Sequence, residues 1–171
     1  MKSPMRFLPE RCAGLPDPRD PAVTLAHVEQ AIRRLHPVPH VTPQELEALL
    51  ASAGTVLFDV RTEAEFRVGH LPGAIRLDPA IKTERFVALH GAGCAGRVIV
   101  FACSVGLRSA RLAERVGPAL SALGPVSVAN LLGGLFRWYA EARRPALPAL
   151  HPFDQAWGTL LERTLRAQPS R

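Results

Sequence analysis

The chain has 171 residues, 47% hydrophobic and 21% charged, which excludes a disordered polymer and suffices for one domain with its own core. Three cysteines without a Cys-x-x-Cys pair exclude a disulfide framework and a structural zinc site, and fit a reducing, cytoplasmic compartment. Net charge is +6: residues 1–96 balance 11 Lys and Arg against 11 Asp and Glu, while residues 97–171 hold 10 against 4. That asymmetry either draws small anions or solvates helix faces; no dense basic run or aromatic-interleaved patch points to nucleic acid.

Residues 1–20 carry Pro4, Pro9, Pro16 and Pro18 and read as a flexible arm. Asp20-Pro21 resembles an N-cap followed by a first-turn proline, and Leu25, Val28, Ile32 and Leu35 recur at helical spacing, predicting an N-terminal helix over 21–36. A short strand follows at 38–41. Thr42-Pro43-Gln44-Glu45 is a capping box opening a helix that stops before Gly54. Residues 55–60 form a buried strand. Thr62 and Glu65 make a second capping box, whose short helix must end by Gly69. After a turn at 69–73 come a strand at 74–77, a helix at 80–90 and a loop at 91–96.

Residues 97–102 are the strongest strand signal, and they end on Cys103. A helix is expected from Ser109, interrupted at Gly117-Pro118. A strand at 126–129 and a helix at 135–142 complete a main domain over 38–145. Residues 146–171 are left as a C-terminal tail with a short helix of its own. The 21 residues 116–136 carry no charge, but Gly117, Pro118, Gly124, Pro125, Asn130, Gly133 and Gly134 break them, which argues against a membrane span. Strands alternating with helices predict an α/β fold with a parallel sheet covered on both faces. Ligands of such folds sit beyond the carboxyl ends of the strands, which here carry Asp59-Val60-Arg61 and Cys103-Ser104.

The stretch Cys103, Ser104, Val105, Gly106, Leu107, Arg108, Ser109 places a thiol where a buried strand turns into a helix. Inward backbone amides, the helix dipole and the Arg108 charge all favour a thiolate. Gly106 allows the turn and Ser109 suits the cap. Asp59 and Arg61 share this rim, either supporting the loop or forming a local Arg61–Glu65 pair. His70 lies in a Pro-Gly turn that could touch the site. The other histidines have no metal-ligand spacing. Cys94, before a strand that Cys103 follows, belongs at the opposite edge of the sheet.

The loop resembles the active-site loop of rhodanese-like sulfurtransferase domains, Cys-x-x-Gly-x-Arg-Ser. Phe58-Asp59-Val60-Arg61 with Glu65-Phe66, the run from Gly69 to Ile75, and Asn130-Leu131-Leu132-Gly133-Gly134 with Trp138 are similar to the family's other two signatures. His151-Pro152-Phe153 with Trp157 is similar to the tail of some single-domain bacterial members. The resemblance implies the rhodanese-like fold, a five-stranded, mostly parallel sheet with helices on both faces. It also implies that Cys103 takes a sulfane sulfur as a persulfide. On the reading of the residues themselves, residues 104–109 hold that sulfur, with Asp59, Arg61 and His70 in support. The implied partners are a small anionic sulfur donor and a thiol or cyanide acceptor, with a sulfur-accepting protein as a further option. No cofactor or metal is implied. A phosphatase or arsenate reductase on the same fold, and a non-catalytic binding module, remain the alternatives.

Overall fold

A computed structural model describes residue 12 and residues 14–124 and 127–168; Pro4, Pro9 and Val126 of the expected arm and strand lie outside the described residues. Five strands, β1 (His40–Val41), β2 (Thr55–Asp59), β3 (Ile75–Arg76), β4 (Val98–Ala102) and β5 (Ser127–Leu131), form one sheet in the order β1-β5-β4-β2-β3. All four pairings are parallel, so among the described residues the sheet is all-parallel, as the alternation of strands and helices predicts. The helices are α1 (Leu25–Leu35), α2 (Pro43–Ala51), α3 (Glu63–Val68), α4 (Thr83–Cys94), α5 (Leu107–Ser121), α6 (Gly134–Ala140) and α7 (Gln155–Arg166).

The period-2 alternation of β4 sorts the core. Ile99 and Phe101 join Phe58, Phe86, Leu112 and Val116 on the α4/α5 side. Val100 and Ala102 join Leu46, Leu131, Leu135 and Trp138 on the α2/α6 side. Each fully buried large apolar side chain stabilises the fold by about 1.5–3 kcal/mol. A third cluster sets α1 against α7 through Leu25, Val28, Ile32, Trp157 and Leu160, together with Val105 and Leu107. The N-terminal helix and the C-terminal segment therefore pack on the cysteine loop itself.

Both capping boxes form as read: Thr42 and Glu45 open α2, and Thr62 and Glu65 open α3. Three local expectations fail. Helix α1 begins at Leu25, not Pro21, because Asp20 turns its carboxylate onto the Ala22 N–H (2.9 Å) and Thr24 becomes the N-cap, with His27 completing the box. Helix α4 starts at Thr83 because Asp78 holds Ala80 in a side-chain turn (2.8 Å). It then continues through Gly91, where an added Cβ would lie 2.9 Å from Leu123; close packing of α4 on α5 overrides the glycine's helix penalty. Helix α5 runs on through Gly117-Pro118. Pro118 and Glu114, whose carbonyl loses its helical partner, lie on the exposed face of the helix, while Val116 and Leu120 keep the inner face buried. Residues 116–136 accordingly divide among α5, β5 and α6, and no helix among the described residues is long and apolar enough to cross a membrane.

Candidate active site

The β2/β4 register sets Asp59 beside Ala102, and the Val60 N–H donates to the Ala102 carbonyl (2.8 Å). Cys103 follows at the carboxyl end of the sheet, 1% exposed. Its Sγ accepts from the Gly106 N–H at 3.2 Å and from the Ser109 hydroxyl at 3.3 Å. Gly106, with φ 99°, is the N-cap of α5, so the sulfur sits at the positive end of a 15-residue helix. Ser109 is not the cap that its position suggested: it is the third residue of α5, in the first turn, and gives its hydroxyl to the sulfur instead.

The loop is held from behind by the amino end of α6. Leu135 N–H donates to the Cys103 carbonyl and Phe136 N–H to the Ser104 carbonyl, both at 2.9 Å. Gly106 also has no room for a side chain, since a Cβ would lie 2.9 Å from the Leu131 carbonyl oxygen and 3.3 Å from Asn130 Nδ2. Asn130 is buried and donates Nδ2 to His40 Nδ1 (3.2 Å). Val105 and Leu107 point their side chains into the α1/α7 cluster, leaving backbone groups as what they can offer at the sulfur.

Glu65 is the residue that sequence reasoning placed at a helix cap, in a local pair with Arg61 and in a family signature, but not on the cysteine loop. One oxygen accepts from the Thr62 N–H (2.9 Å) and hydroxyl (2.8 Å), completing the cap of α3. The carboxylate also takes a bidentate grip from Arg108 (2.9 and 2.7 Å), and it accepts from the Ser104 hydroxyl (3.0 Å). Arg108 donates to Ser104 Oγ as well (3.0 Å). Burial works to raise the Glu65 pKa, but the hydrogen bonds and charge of Arg108 outweigh it and bring it to about 2. Burial likewise works against the Arg108 charge, and Glu65 together with Cys103 more than reverses this, raising its pKa above the usual arginine value. The Arg108 charge thus pairs with Glu65 and also acts on Cys103. Its guanidinium carbon lies over the Phe153 ring, 5.0 Å from the ring centre.

Asp59 and Arg61 are both buried and pair with each other: Arg61 Nε donates to Oδ1 (2.9 Å) and Nη2 to Oδ2 (2.7 Å). The local Arg61–Glu65 pair is therefore absent, because Glu65 turns to Arg108. Arg61 Nη2 also donates to the Gly69 carbonyl (2.8 Å), while its buried Nη1 has no hydrogen-bond partner. His70 is exposed; its ring stacks on Phe66 at 3.8 Å and its Nδ1–H donates to the Phe66 carbonyl. The structure thus brings together residues 103–109 and Glu65, places Asp59–Arg61 in the adjoining wall, and turns His70 back onto its own helix. Cys94 lies in the α4/α5 cluster. Among the described residues no group of three or more His, Cys, Asp and Glu is arranged to hold a metal ion.

A parallel sheet that delivers a thiol to the amino end of a helix, with the Gly106 N–H and the Ser109 hydroxyl on the sulfur, defines a cysteine-loop α/β domain. Residues 42–141 match the rhodanese-like domain family, and the chain belongs to that family. Curated relatives include the tRNA uridine(34) hydroxylases of Brucella anthropi, 31% identical over 109 residues, and of Mesorhizobium japonicum, 30% identical over 106. The matches cover 61% and 60% of this chain but 34% and 32% of those proteins, so the chain spans about a third of their length. Among solved structures, a thiosulfate sulfurtransferase from Pseudomonas aeruginosa superposes with a TM-score of 0.55 at 22% identity, over 81% of this chain and 26% of the other. A Rhodopseudomonas palustris protein of unknown function, described as a possible tyrosine phosphatase, gives 0.52 at 21%, over 73% and 95%. Both structural likenesses speak to the fold alone.

Proposed function

We propose that the chain is a sulfurtransferase that moves a sulfane sulfur from thiosulfate or a persulfide donor to a thiophilic acceptor through a Cys103 persulfide. The observation that carries this reading is the sulfur's setting: the Gly106 N–H and the Ser109 hydroxyl converge on Sγ at the head of α5. In the first half-reaction the thiolate attacks the outer sulfur of thiosulfate, the donor's S–S bond breaks, and sulfite leaves with its electron pair. The terminal sulfur of the persulfide then carries the negative charge, which loop amides and the helix dipole stabilise. In the second half an acceptor such as cyanide or a thiol attacks that sulfur, the Cys103 S–S bond breaks, and the thiolate returns. This is covalent catalysis with a ping-pong order. Partners in this reading are a small anionic donor and a thiol, cyanide or sulfur-accepting protein, and the chemistry asks for no cofactor.

Only four residues separate Cys103 from Arg108. A ring that short suits one sulfur atom better than the tetrahedral oxyanion of a phosphatase or arsenate reductase. The hydroxylase activity of the curated relatives belongs to proteins roughly twice as long as this chain, and the match covers about a third of them. The deciding experiment is intact-protein mass after thiosulfate treatment. The expected result is a gain of one sulfur atom, absent in Cys103→Ser, with thiocyanate formed on adding cyanide. Aryl phosphate hydrolysis without any sulfur gain would overturn the reading.

A further inference from the structure

The sequence pattern His151-Pro152-Phe153 with Trp157 takes no part in the chemistry above, yet it is built onto the loop. After α6 the chain recrosses the carboxyl end of the sheet. Leu147 joins the cluster of Leu71, Ala102 and Leu131. Leu150 packs against both that cluster and the one holding Val105 and Leu107. Between them the Ala149 carbonyl presses on Gly69, where an added Cβ would come within 2.0 Å of its oxygen. Gly69 in turn accepts from Arg61 in the site wall. The segment therefore lies as a strap across the end of the sheet that carries Cys103.

The strap ends in a turn made for one side chain. The Phe153 N–H donates to His151 Nδ1 (3.0 Å), and Asp154 caps α7 by accepting from the Trp157 N–H (2.9 Å). Trp157, 2% exposed, anchors the turn in the α1/α7 cluster. Between these two fixings Phe153 adopts a left-handed φ of 71°, a conformation that non-glycine side chains rarely adopt without an enforced context. The outcome of that conformation is the half-buried ring over the Arg108 guanidinium, 5.0 Å away, on the arginine that also binds Ser104 and Glu65.

We propose that Phe153 is a specificity-determining residue at the entrance to Cys103: the strap of residues 147–154 seats its ring on Arg108 and limits the size of molecule that reaches the thiol. The inference rests on Cys103 being the reacting group of the proposed sulfurtransferase. It goes further by assigning the C-terminal segment to control of access, so that a large sulfur acceptor must displace Phe153 while a small donor need not.

The test is alkylation of Cys103 in the full chain by a small reagent, iodoacetamide, and a bulky one, fluorescein maleimide, followed by peptide mapping. Cys94, buried in the other core cluster, is the internal reference. In Phe153→Ala the bulky reagent should label Cys103 roughly threefold faster or more, the scale of a lost cation–π closure. Iodoacetamide should gain less and Cys94 should not change. His151→Ala keeps the ring and removes only the turn's acceptor, and should shift labelling in the same direction. No acceleration, equal acceleration for both reagents, or a parallel rise at Cys94 would overturn the proposal. Alkylation requires no sulfur donor, so this outcome is separate from the thiosulfate mass result.

Discussion

Glu65→Gln keeps the shape of the loop's central contact and removes its charge. In the wild type the folded carboxyl titrates at about 2 against a usual value of 4.5. A gap of about 2.5 pH units corresponds to about 3 kcal/mol of stability at neutral pH. Leaving the partly buried Arg108 guanidinium unpaired gives a loss on the same scale. The sign follows from which state takes the proton first. The folded carboxyl is the stronger acid, so the unfolded chain binds the proton first on acidification. The contribution is complete above about pH 4.5 and drains away as the pH falls toward about 2, with about 2 kcal/mol gone by about pH 3. Gln does not titrate. Urea denaturation of both proteins should therefore show a difference of about 3 kcal/mol at neutral pH that narrows to about 1 kcal/mol near pH 3. A neutral-pH difference under about 1 kcal/mol, or one that stays constant through the acid range, would refute the assignment of Glu65 as the ionic centre of the loop.

Arg108→Ala should cost about 3 kcal/mol and lower turnover, and the Glu65 carboxylate it leaves unpaired should raise the thiosulfate KM; adding Glu65→Gln should bring the KM back toward the wild-type value, which urea melts and steady-state kinetics check, and a KM that stays raised in the double variant would return the arginine to anion binding. Ser109→Ala removes a hydroxyl donor from Sγ and should slow sulfur transfer by about tenfold, the scale of one hydrogen bond to a charged group. Its stability should stay within about 1 kcal/mol of wild type, and an unchanged single-turnover rate would remove Ser109 from the site.

Much of this arrangement is local in sequence, and that part was legible. The run 97–102, the two capping boxes and the Cys103-to-Ser109 spacing depend on neighbours along the chain, so propensity, pattern and motif place them. Glu65 was half-legible: its cap lies three residues away at Thr62, but its charge partner is 43 residues off at Arg108. Nothing local distinguishes that contact from an ordinary first-turn glutamate. The Arg61–Glu65 pairing failed because the distant Arg108 takes Glu65 while Arg61 pairs with Asp59, two residues away. Pro118 and Gly91 broke local rules because packing of α5 and α4 overrode them. Phe153 was noticed only as part of a tail pattern, because its meaning comes from residues 45 positions earlier in the chain, at Arg108.

Gly134 is where the fold and the thiol meet most directly. Its φ of 57° is left-handed, and an added Cβ would lie 2.4 Å from the Cys103 carbonyl oxygen and 2.5 Å from that of Ser104. Those two carbonyls are the acceptors for the Leu135 and Phe136 N–H groups, so the clash falls on the backbone that positions the sulfur and no flexible side-chain end can yield. Gly134→Ala must either give up both hydrogen bonds or push the loop off the head of α5. The conformational penalty is about 1 kcal/mol, and loss of the two bonds and the displacement bring the total to about 3 kcal/mol or more. Gly117→Ala is the matched control: it too lies in a helix, but its added Cβ meets nothing within 4 Å, so it should be neutral or stabilise by up to about 1 kcal/mol. Urea melts of the two variants, with the iodoacetamide rate of Cys103 measured on each folded protein, separate the cases. Wild-type stability and wild-type Cys103 reactivity in Gly134→Ala would mean that α6 does not hold the loop.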